Sequence, residues 1–249
     1  MSTRVKQISE DIYWIYNPSY YNCTYLVKRG DRVILIDTCM QSDASDIKKA
    51  FKQLSLPVES ISDILLTHWH NDHSAGTAEL KAISNCTIYC QKEEAPYFEK
   101  KPSSKIRQLA EYIPERGILV LLKGLLGEVV PRNVKIDRLL KDGDEILNDF
   151  IVLESPGHTH GHISFYDKKS KTLFAGDSLA VIKQHIRLMA GVVTPDKPAS
   201  ITSILKLLEG RAIHIICPGH REPLVKNTKS EIIRFLDQIK KMKKWPILG

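Results

Sequence analysis

Residues 67–76 read Thr-His-Trp-His-Asn-Asp-His-Ser-Ala-Gly, and this stretch decides how the rest of the chain is interpreted. Three histidines and one aspartate fall within six positions, at His68, His70, Asp72 and His73. The apolar-rich segment 61–66 comes directly before them and is typical of a buried strand. Imidazole and carboxylate together favour zinc, iron or manganese over calcium or magnesium. The stretch therefore predicts a loop of metal ligands at the end of a strand.

Three further candidate ligands also follow predicted strands. His158 lies in Pro-Gly-His after the strand predicted at 150–153, and Asp177 lies in Gly-Asp-Ser after the strand predicted at 172–175. His220 follows a later strand, again in Pro-Gly-His. Strand ends are rigid, and short loops at one sheet edge can present side chains to a single cleft. Seven candidate ligands exceed what one four-coordinate ion uses, but they suffice for two ions that share a carboxylate.

Short apolar strands and amphipathic helices make up most of the remaining pattern. Strands are predicted at 12–16, 24–27, 33–36, 61–66, 150–153, 163–166, 172–175 and 212–216, and helices at 42–54, 76–83, 198–208 and 229–244. His214 lies inside the last strand and is predicted to be a buried core histidine. The proline-containing region from about 93 to 130 is interpreted as a helical insertion that serves as core, as a lid or as a dimer contact. No boundary resembles a linker, so a single domain over 1–249 is predicted.

Length, composition and charge limit the functional classes. The chain has 249 residues, of which 43% are hydrophobic and 26% are charged, as is ordinary for a globular protein. It has no apolar run of about 18 residues and no secretory signal, which favours a cytoplasmic location without a membrane partner. Five cysteines without a disulfide spacing agree with a reducing compartment. The net charge of +7 is spread along the chain, so a nucleic-acid partner is disfavoured.

The ordered set of motifs resembles the metallo-β-lactamase superfamily over nearly the whole chain, from about 10 to 225. His-x-His-x-Asp-His is followed by Pro-Gly-His, Gly-Asp-Ser and a second Pro-Gly-His, and Asp37 follows the first predicted strands. The resemblance implies an α/β (α+β) fold, a four-layer αββα sandwich, with a dinuclear site on one edge. It implies one ion held by His68, His70 and His158, a second ion held by Asp72, His73 and His220, and Asp177 as the bridge.

The resemblance also implies the chemistry of this site. Two zinc ions are the implied cofactors, with iron or manganese as alternatives, and a metal-bridging hydroxide is the implied nucleophile. Asp72 and Asp177 are assigned to catalysis. Asp37 and His162 are predicted to lie behind the ligands, because ligating histidines usually donate their other N–H to a carboxylate or carbonyl. Two alternatives stay open: Asp37 as a strand-end turn residue, and His162 as a partner of buried backbone.

Three reaction classes stay open at this point. The favoured one is hydrolysis of an ester, thioester or lactone in a small-molecule substrate, because residues 156–162 are similar to the Pro-Gly-His-Thr-x-Gly-His of glyoxalase II-like enzymes. The second is a mononuclear iron enzyme of the persulfide dioxygenase type. The third is an RNA- or DNA-processing nuclease, which only the positive charge favours. A homodimer is possible in each case.

Overall fold

A computed structural model of the chain describes residues 3–19, 21–99 and 134–245. The chain forms two compact units, Met1–Cys90 with Glu94–Leu139 and Gln91–Glu93 with Leu140–Gly249. Most of the predicted insertion, from 100 to 130, lies outside the described residues. Within the described ranges, no helix has both the length and the apolar character that a membrane crossing requires.

The first unit is built on one mixed sheet. Its strands are β1 (Arg4–Gln7), β2 (Ile12–Tyr16), β3 (Cys23–Arg29), β4 (Arg32–Ile36), β5 (Ile61–Leu65), β6 (Thr87–Gln91) and β7 (Arg138–Leu140), and they are hydrogen-bonded in that order. Its helices are α1 (Ser45–Gln53), α2 (Asn71–Ser74), α3 (Thr77–Ser84) and α4 (Pro96–Glu99), and a 3-10 turn covers Val58–Ser60. Strands β1 to β4 pair antiparallel, whereas β4, β5 and β6 pair parallel. The carboxyl ends of β4 and β5 therefore meet at one sheet edge, where the ligand loop begins.

Burial explains why these central strands are rigid. The last four residues of β4 are all buried, as expected for a parallel strand that is covered on both faces. Helix α1 packs on this sheet through Ile47, Ala50 and Phe51, which follow the spacing of one helical face. The ligand loop thus extends from a strand whose neighbours are fixed by core packing.

The second unit contains a five-stranded sheet and a separate hairpin. Its strands are β8 (Glu145–Ile146), β9 (Phe150–Glu154), β10 (Ile163–Asp167), β11 (Thr172–Gly176), β12 (Ala180–Ile182), β13 (His185–Arg187) and β14 (Ile215–Pro218). Its helices are α5 (Lys197–Leu208) and α6 (Thr228–Lys241), and a 3-10 turn covers Gly191–Val193. The sheet order is β14-β11-β10-β9-β8, and β12 and β13 form a separate two-stranded sheet. Strands β11 and β14 are parallel, so the residues that follow them lie at the same edge.

The predicted and observed elements differ most clearly at the last strand and at β1. The strand predicted at 212–216 begins only at Ile215, and His214 is exposed, so its prediction as a core histidine is wrong. The His214 N–H instead donates to the carbonyl of Lys171, just before β14 joins β11. Strand β1 was not predicted because it is a mostly exposed edge strand of polar residues, without an apolar pattern.

Helix α6 is attached to the β12–β13 hairpin through a buried carboxylate. Glu231 is only 7% exposed, and it accepts hydrogen bonds from the Ile186 N–H at 2.7 Å and from Arg234. The His185 ring lies 3.2 Å from the same carboxylate. Burial by itself would raise the pKa of Glu231, but these hydrogen bonds outweigh burial and lower that pKa to about 2.

Glu231→Gln is expected to lower the free energy of unfolding at pH 7 by about 1–3 kcal/mol, because charge-assisted hydrogen bonds are lost in a buried place. The pKa of a carboxyl group in the unfolded chain is about 4.3, so the stabilisation is complete above that pH. It is lost as the pH falls toward the folded-state pKa of about 2. Urea unfolding of both proteins between pH 7 and pH 3 tests this, with the exposed Asp237→Asn on α6 as the control. A difference that stays constant down to pH 3 would contradict the prediction.

Candidate functional site

The first ligand cluster consists of His68, His70, Asp72 and His73 on the loop after β5. Helix α2 begins directly after His70, whose carbonyl accepts the N–H groups of His73 and Ser74 at 3.0 Å each. This tight turn brings the imidazoles together. The ring centre of His68 lies 4.8 Å from that of His70 and 4.3 Å from that of His73. The rings of His68 and His73 are fully buried, whereas His70 and Asp72 are partly exposed.

Asp37 lies behind this cluster, at the end of β4. Its Oδ2 accepts a hydrogen bond from His73 Nδ1 at 2.8 Å, since a carboxylate can only accept. The Thr67 N–H and hydroxyl also donate to Asp37, at 2.9 Å and 2.8 Å. Because the Thr67 hydroxyl hydrogen is used in this way, its oxygen accepts from His68 Nδ1 at 3.0 Å. Asp37 thus orients both rings with Nε2 as the nitrogen for a metal ion.

Two buried residues that the sequence analysis did not single out also hold the ligand loop. Glu94 Oε2 accepts the Trp69 N–H at 2.9 Å, and Trp69 lies between the candidate ligands His68 and His70. Asn22 Nδ2 donates to the carbonyl of Asp72 at 2.7 Å. Asn22 lies 50 residues before the loop, and Glu94 lies 25 residues after Trp69. No local spacing connects these positions, so sequence patterns could not have found them.

The second ligand cluster consists of His158, Asp177 and His220, which follow β9, β11 and β14. The Nε2 atoms of both histidines approach the same carboxylate oxygen, Asp177 Oδ2. The distance from His158 is 3.5 Å and the distance from His220 is 3.2 Å. His158 Nδ1 donates to the carbonyl of Val193 at 2.5 Å, which again leaves Nε2 for a metal ion. Both histidines therefore direct a ring nitrogen toward the same oxygen of Asp177.

The backbone before His158 makes a close approach that only glycine allows. Gly157 has a φ of +141°, and a Cβ at this position would lie 2.6 Å from Ser200 in α5. The Pro-Gly-His loop is thereby pressed against the first turn of α5. This contact explains why glycine precedes the candidate ligand.

His162 lies directly behind Asp177 and is fully buried. Its Nε2 accepts the backbone N–H of Asp177 at 3.0 Å, so the ring hydrogen is on Nδ1, which lies 2.8 Å from Ser155 Oγ. Both ring nitrogens are therefore used by the protein itself. His162 positions the backbone of Asp177 and does not add a ligand atom.

The donor atoms suit zinc or a similar ion in both type and spacing. Bonds of about 2.0–2.1 Å in a tetrahedral zinc site place neighbouring ligand atoms roughly 3.3–3.5 Å apart. The two distances to Asp177 Oδ2 are 3.2 and 3.5 Å, and His73 Nε2 lies 3.7 Å from Asp72 Oδ2. Cys39 is also buried, and burial raises the pKa of its thiol well above its ordinary value; its Sγ lies 3.0 Å from the Thr24 hydroxyl.

Sequence comparisons agree with this set of side chains. The family model of the metallo-beta-lactamase superfamily matches residues 17–220. A probable metallo-hydrolase of Bacillus subtilis is 26% identical over 83% of this chain and 82% of its own length. A hydroxyacylglutathione hydrolase of Bdellovibrio bacteriovorus is 35% identical, but over 47% of this chain and only 34% of that protein. The match to the second relative thus covers about a third of its length.

Solved structures show the same fold at low sequence identity. A metallo-beta-lactamase family protein from Thermus thermophilus aligns with a TM-score of 0.66 and 21% identity, over 94% of this chain and 81% of that protein. A class B3 di-zinc metallo-beta-lactamase from an Alaskan soil metagenome aligns with a TM-score of 0.67 and 20% identity, over 96% and 92% of the two chains. These likenesses confirm the predicted α/β fold class.

Proposed function

Because the chain belongs to the metallo-β-lactamase superfamily of hydrolases, we propose that it hydrolyses an ester, thioester or lactone at a dinuclear metal centre. The observation that carries this proposal is the orientation of three candidate ligand rings. His68, His73 and His158 each use Nδ1 in a hydrogen bond to the protein, which leaves Nε2 for a metal ion. Protein acceptors behind ligating histidines are typical of functional metal sites.

We assign the candidate ligands to two ions, in keeping with the family resemblance. One ion is held by His68, His70 and His158, the other by Asp72, His73 and His220, and Asp177 bridges the two. Zinc is the proposed metal, with iron and manganese as alternatives, because all three accept mixed imidazole and carboxylate ligands.

When bound, such ions lower the pKa of water to about 7 and polarise a carbonyl oxygen. The protein side chains prepare the site for this chemistry. Asp37 accepts a hydrogen bond from the His73 ring and another from the Thr67 hydroxyl, whose oxygen accepts from the His68 ring, so both rings are held in place. The Asp72 and Asp177 carboxylates supply negative charge and can accept a proton at the site. His162 holds the backbone of Asp177 so that its carboxylate keeps one position.

The relatives indicate an order in which substrates should be tested. Several of them are hydroxyacylglutathione hydrolases, and an acylglutathione is a thioester. Thioesters of small acyl groups therefore come first, followed by carboxylic esters and lactones.

Metal content measured by elemental analysis, on protein purified without added metal, is the first test. We expect about two ions per chain, loss of thioester hydrolysis after treatment with a chelator, and recovery on adding Zn²⁺. One iron per chain, with oxygen consumed in the presence of a persulfide, would overturn the proposal in favour of a dioxygenase. Cleavage of RNA, with no turnover on the thioester, ester or lactone panel, would overturn it in favour of a nuclease.

A further inference from the structure

Asn22 is a buried polar residue, and among the described residues only one of its two polar side-chain atoms has a hydrogen-bond partner. It is fully buried and directly precedes β3. Its Nδ2 donates to the Asp72 carbonyl at 2.7 Å, and its Oδ1 has no hydrogen-bond partner among the described residues. The amide cannot be flipped, because Oδ1 would then face a carbonyl oxygen that only accepts. A buried acceptor therefore remains beside the ligand loop.

The neighbouring carbonyls of the same loop show what the Asn22 bond does. The Ser74 hydroxyl lies 2.7 Å from the carbonyl of Trp69 and 2.9 Å from that of His70, between which its single hydrogen is shared, and the Thr38 N–H donates to the carbonyl of His73. These donors lie within the loop or just after β4. Asn22, which directly precedes β3, donates a hydrogen bond to the carbonyl of Asp72. This bond restrains the rotation of the Asp72 backbone.

The restraint matters because Asp72 has a partly exposed carboxylate. Its side chain is 25% exposed, whereas that of its neighbour His73 is fully buried and held by Asp37. Packing alone therefore constrains the direction of the Asp72 carboxylate less than that of the His73 ring. A hydrogen bond to the backbone of Asp72 limits the positions that its carboxylate can reach.

We propose that Asn22 is a positioning residue for the ion assigned to Asp72, His73 and His220. Among the described residues, its buried side chain makes one hydrogen bond, to the Asp72 carbonyl, so holding Asp72 is the role that its contacts support. This inference rests on the proposed dinuclear centre. It adds a residue that no metal-ligand pattern contains.

Asn22→Asp tests the inference with almost no change in size. The new carboxylate keeps an acceptor at Oδ1 but places a second oxygen against the Asp72 carbonyl, so the restraint becomes a repulsion. We expect one of the two stepwise Zn²⁺ dissociation constants to rise about 10–100-fold, as for other residues behind metal ligands, while the other is unchanged. Competition with a chromogenic chelator on metal-free protein measures both constants.

Asn148→Asp is the matched control, because it makes the same chemical change in an exposed turn. It is expected to leave both constants unchanged. Asn22→Ala removes the hydrogen-bond donor without adding charge and is expected to raise the same Zn²⁺ dissociation constant. This second variant tests the inference if Asn22→Asp does not fold. Circular dichroism and thermal unfolding of the metal-free proteins check the fold of each variant.

The outcomes separate this inference from the proposed function. Two ions in the wild type, with both constants unchanged in the Asn22 variants, would overturn the role of Asn22 and leave the dinuclear centre intact. Equal weakening of both constants would also overturn it, since that result indicates a general loss of structure. A wild-type protein that binds only one ion would overturn the dinuclear centre, and the Asn22 inference with it.

Discussion

Asp177→Ala is expected to lower kcat by at least about 10³-fold while the fold is retained. The Nε2 atoms of His158 and His220 both approach Asp177 Oδ2, at 3.5 and 3.2 Å, so this oxygen is the common point of the second ligand cluster. The substitution removes the proposed bridging carboxylate and the negative charge that holds two cations together. A loss of about 4 kcal/mol of transition-state stabilisation lowers kcat by about 10³-fold. Steady-state thioester hydrolysis and elemental analysis measure the effect.

The fold is expected to survive because the hydrogen bond from Asp177 to His162 comes from the backbone N–H, which the substitution keeps. Asp237→Ala is the control. This exposed aspartate pairs with Lys241 on α6 of the same unit, and surface pairs of this kind contribute little. Full activity of Asp177→Ala, with circular dichroism like that of the wild type, would exclude Asp177 as the bridge.

Asp37→Asn is expected to weaken metal binding about 10–100-fold and to lower kcat/KM accordingly. Three donors converge on the two oxygens of Asp37: His73 Nδ1, the Thr67 N–H and the Thr67 hydroxyl. An asparagine offers one oxygen and one NH₂ group, so at least one buried donor would face another donor. The same conflict is expected to lower the free energy of unfolding of the metal-free protein by about 1–3 kcal/mol.

Zinc competition titrations and urea unfolding test this second prediction. Glu79→Gln is the control, because it makes the same acid-to-amide change in a surface pair with Lys48. Unchanged zinc affinity in Asp37→Asn would show that Asp37 serves only as a turn residue at the end of β4. Its φ of +63° is compatible with such a role.

Elements with a strong local signal could be predicted from the sequence. Continuous apolar runs such as 33–36 indicated the central strands, and apolar spacing indicated α5 and α6 with small errors at their ends. The edge strand β1 is mostly polar, and β12 and β13 are only three residues long each, so none of them shows such a pattern. His214 was misplaced because an apolar run does not by itself show where strand pairing begins.

The candidate ligands could also be predicted from the sequence, because each lies in a short motif at the end of an apolar strand. Their hydrogen bonds could not be predicted in this way. The sequence contains Asp37 and His162 but does not show that Asp37 accepts from His73 or that His162 accepts the N–H of Asp177. Those contacts determine which ring nitrogen is left for a metal ion.

The sequence by itself determined the family, the fold class and the set of candidate ligands, since these follow from residue types at short, ordered spacings. The sequence also predicted Asp37 and His162 behind the ligands, but only the tertiary structure decided which contacts they make and added Asn22 and Glu94. Asn22, Glu94 and Asp37 reach the ligand loop from positions 25 to 50 residues away, through hydrogen bonds that exist only when separate strands pair. The physical reason is that ligand identity is a local property of the chain, whereas ligand orientation depends on long-range contacts.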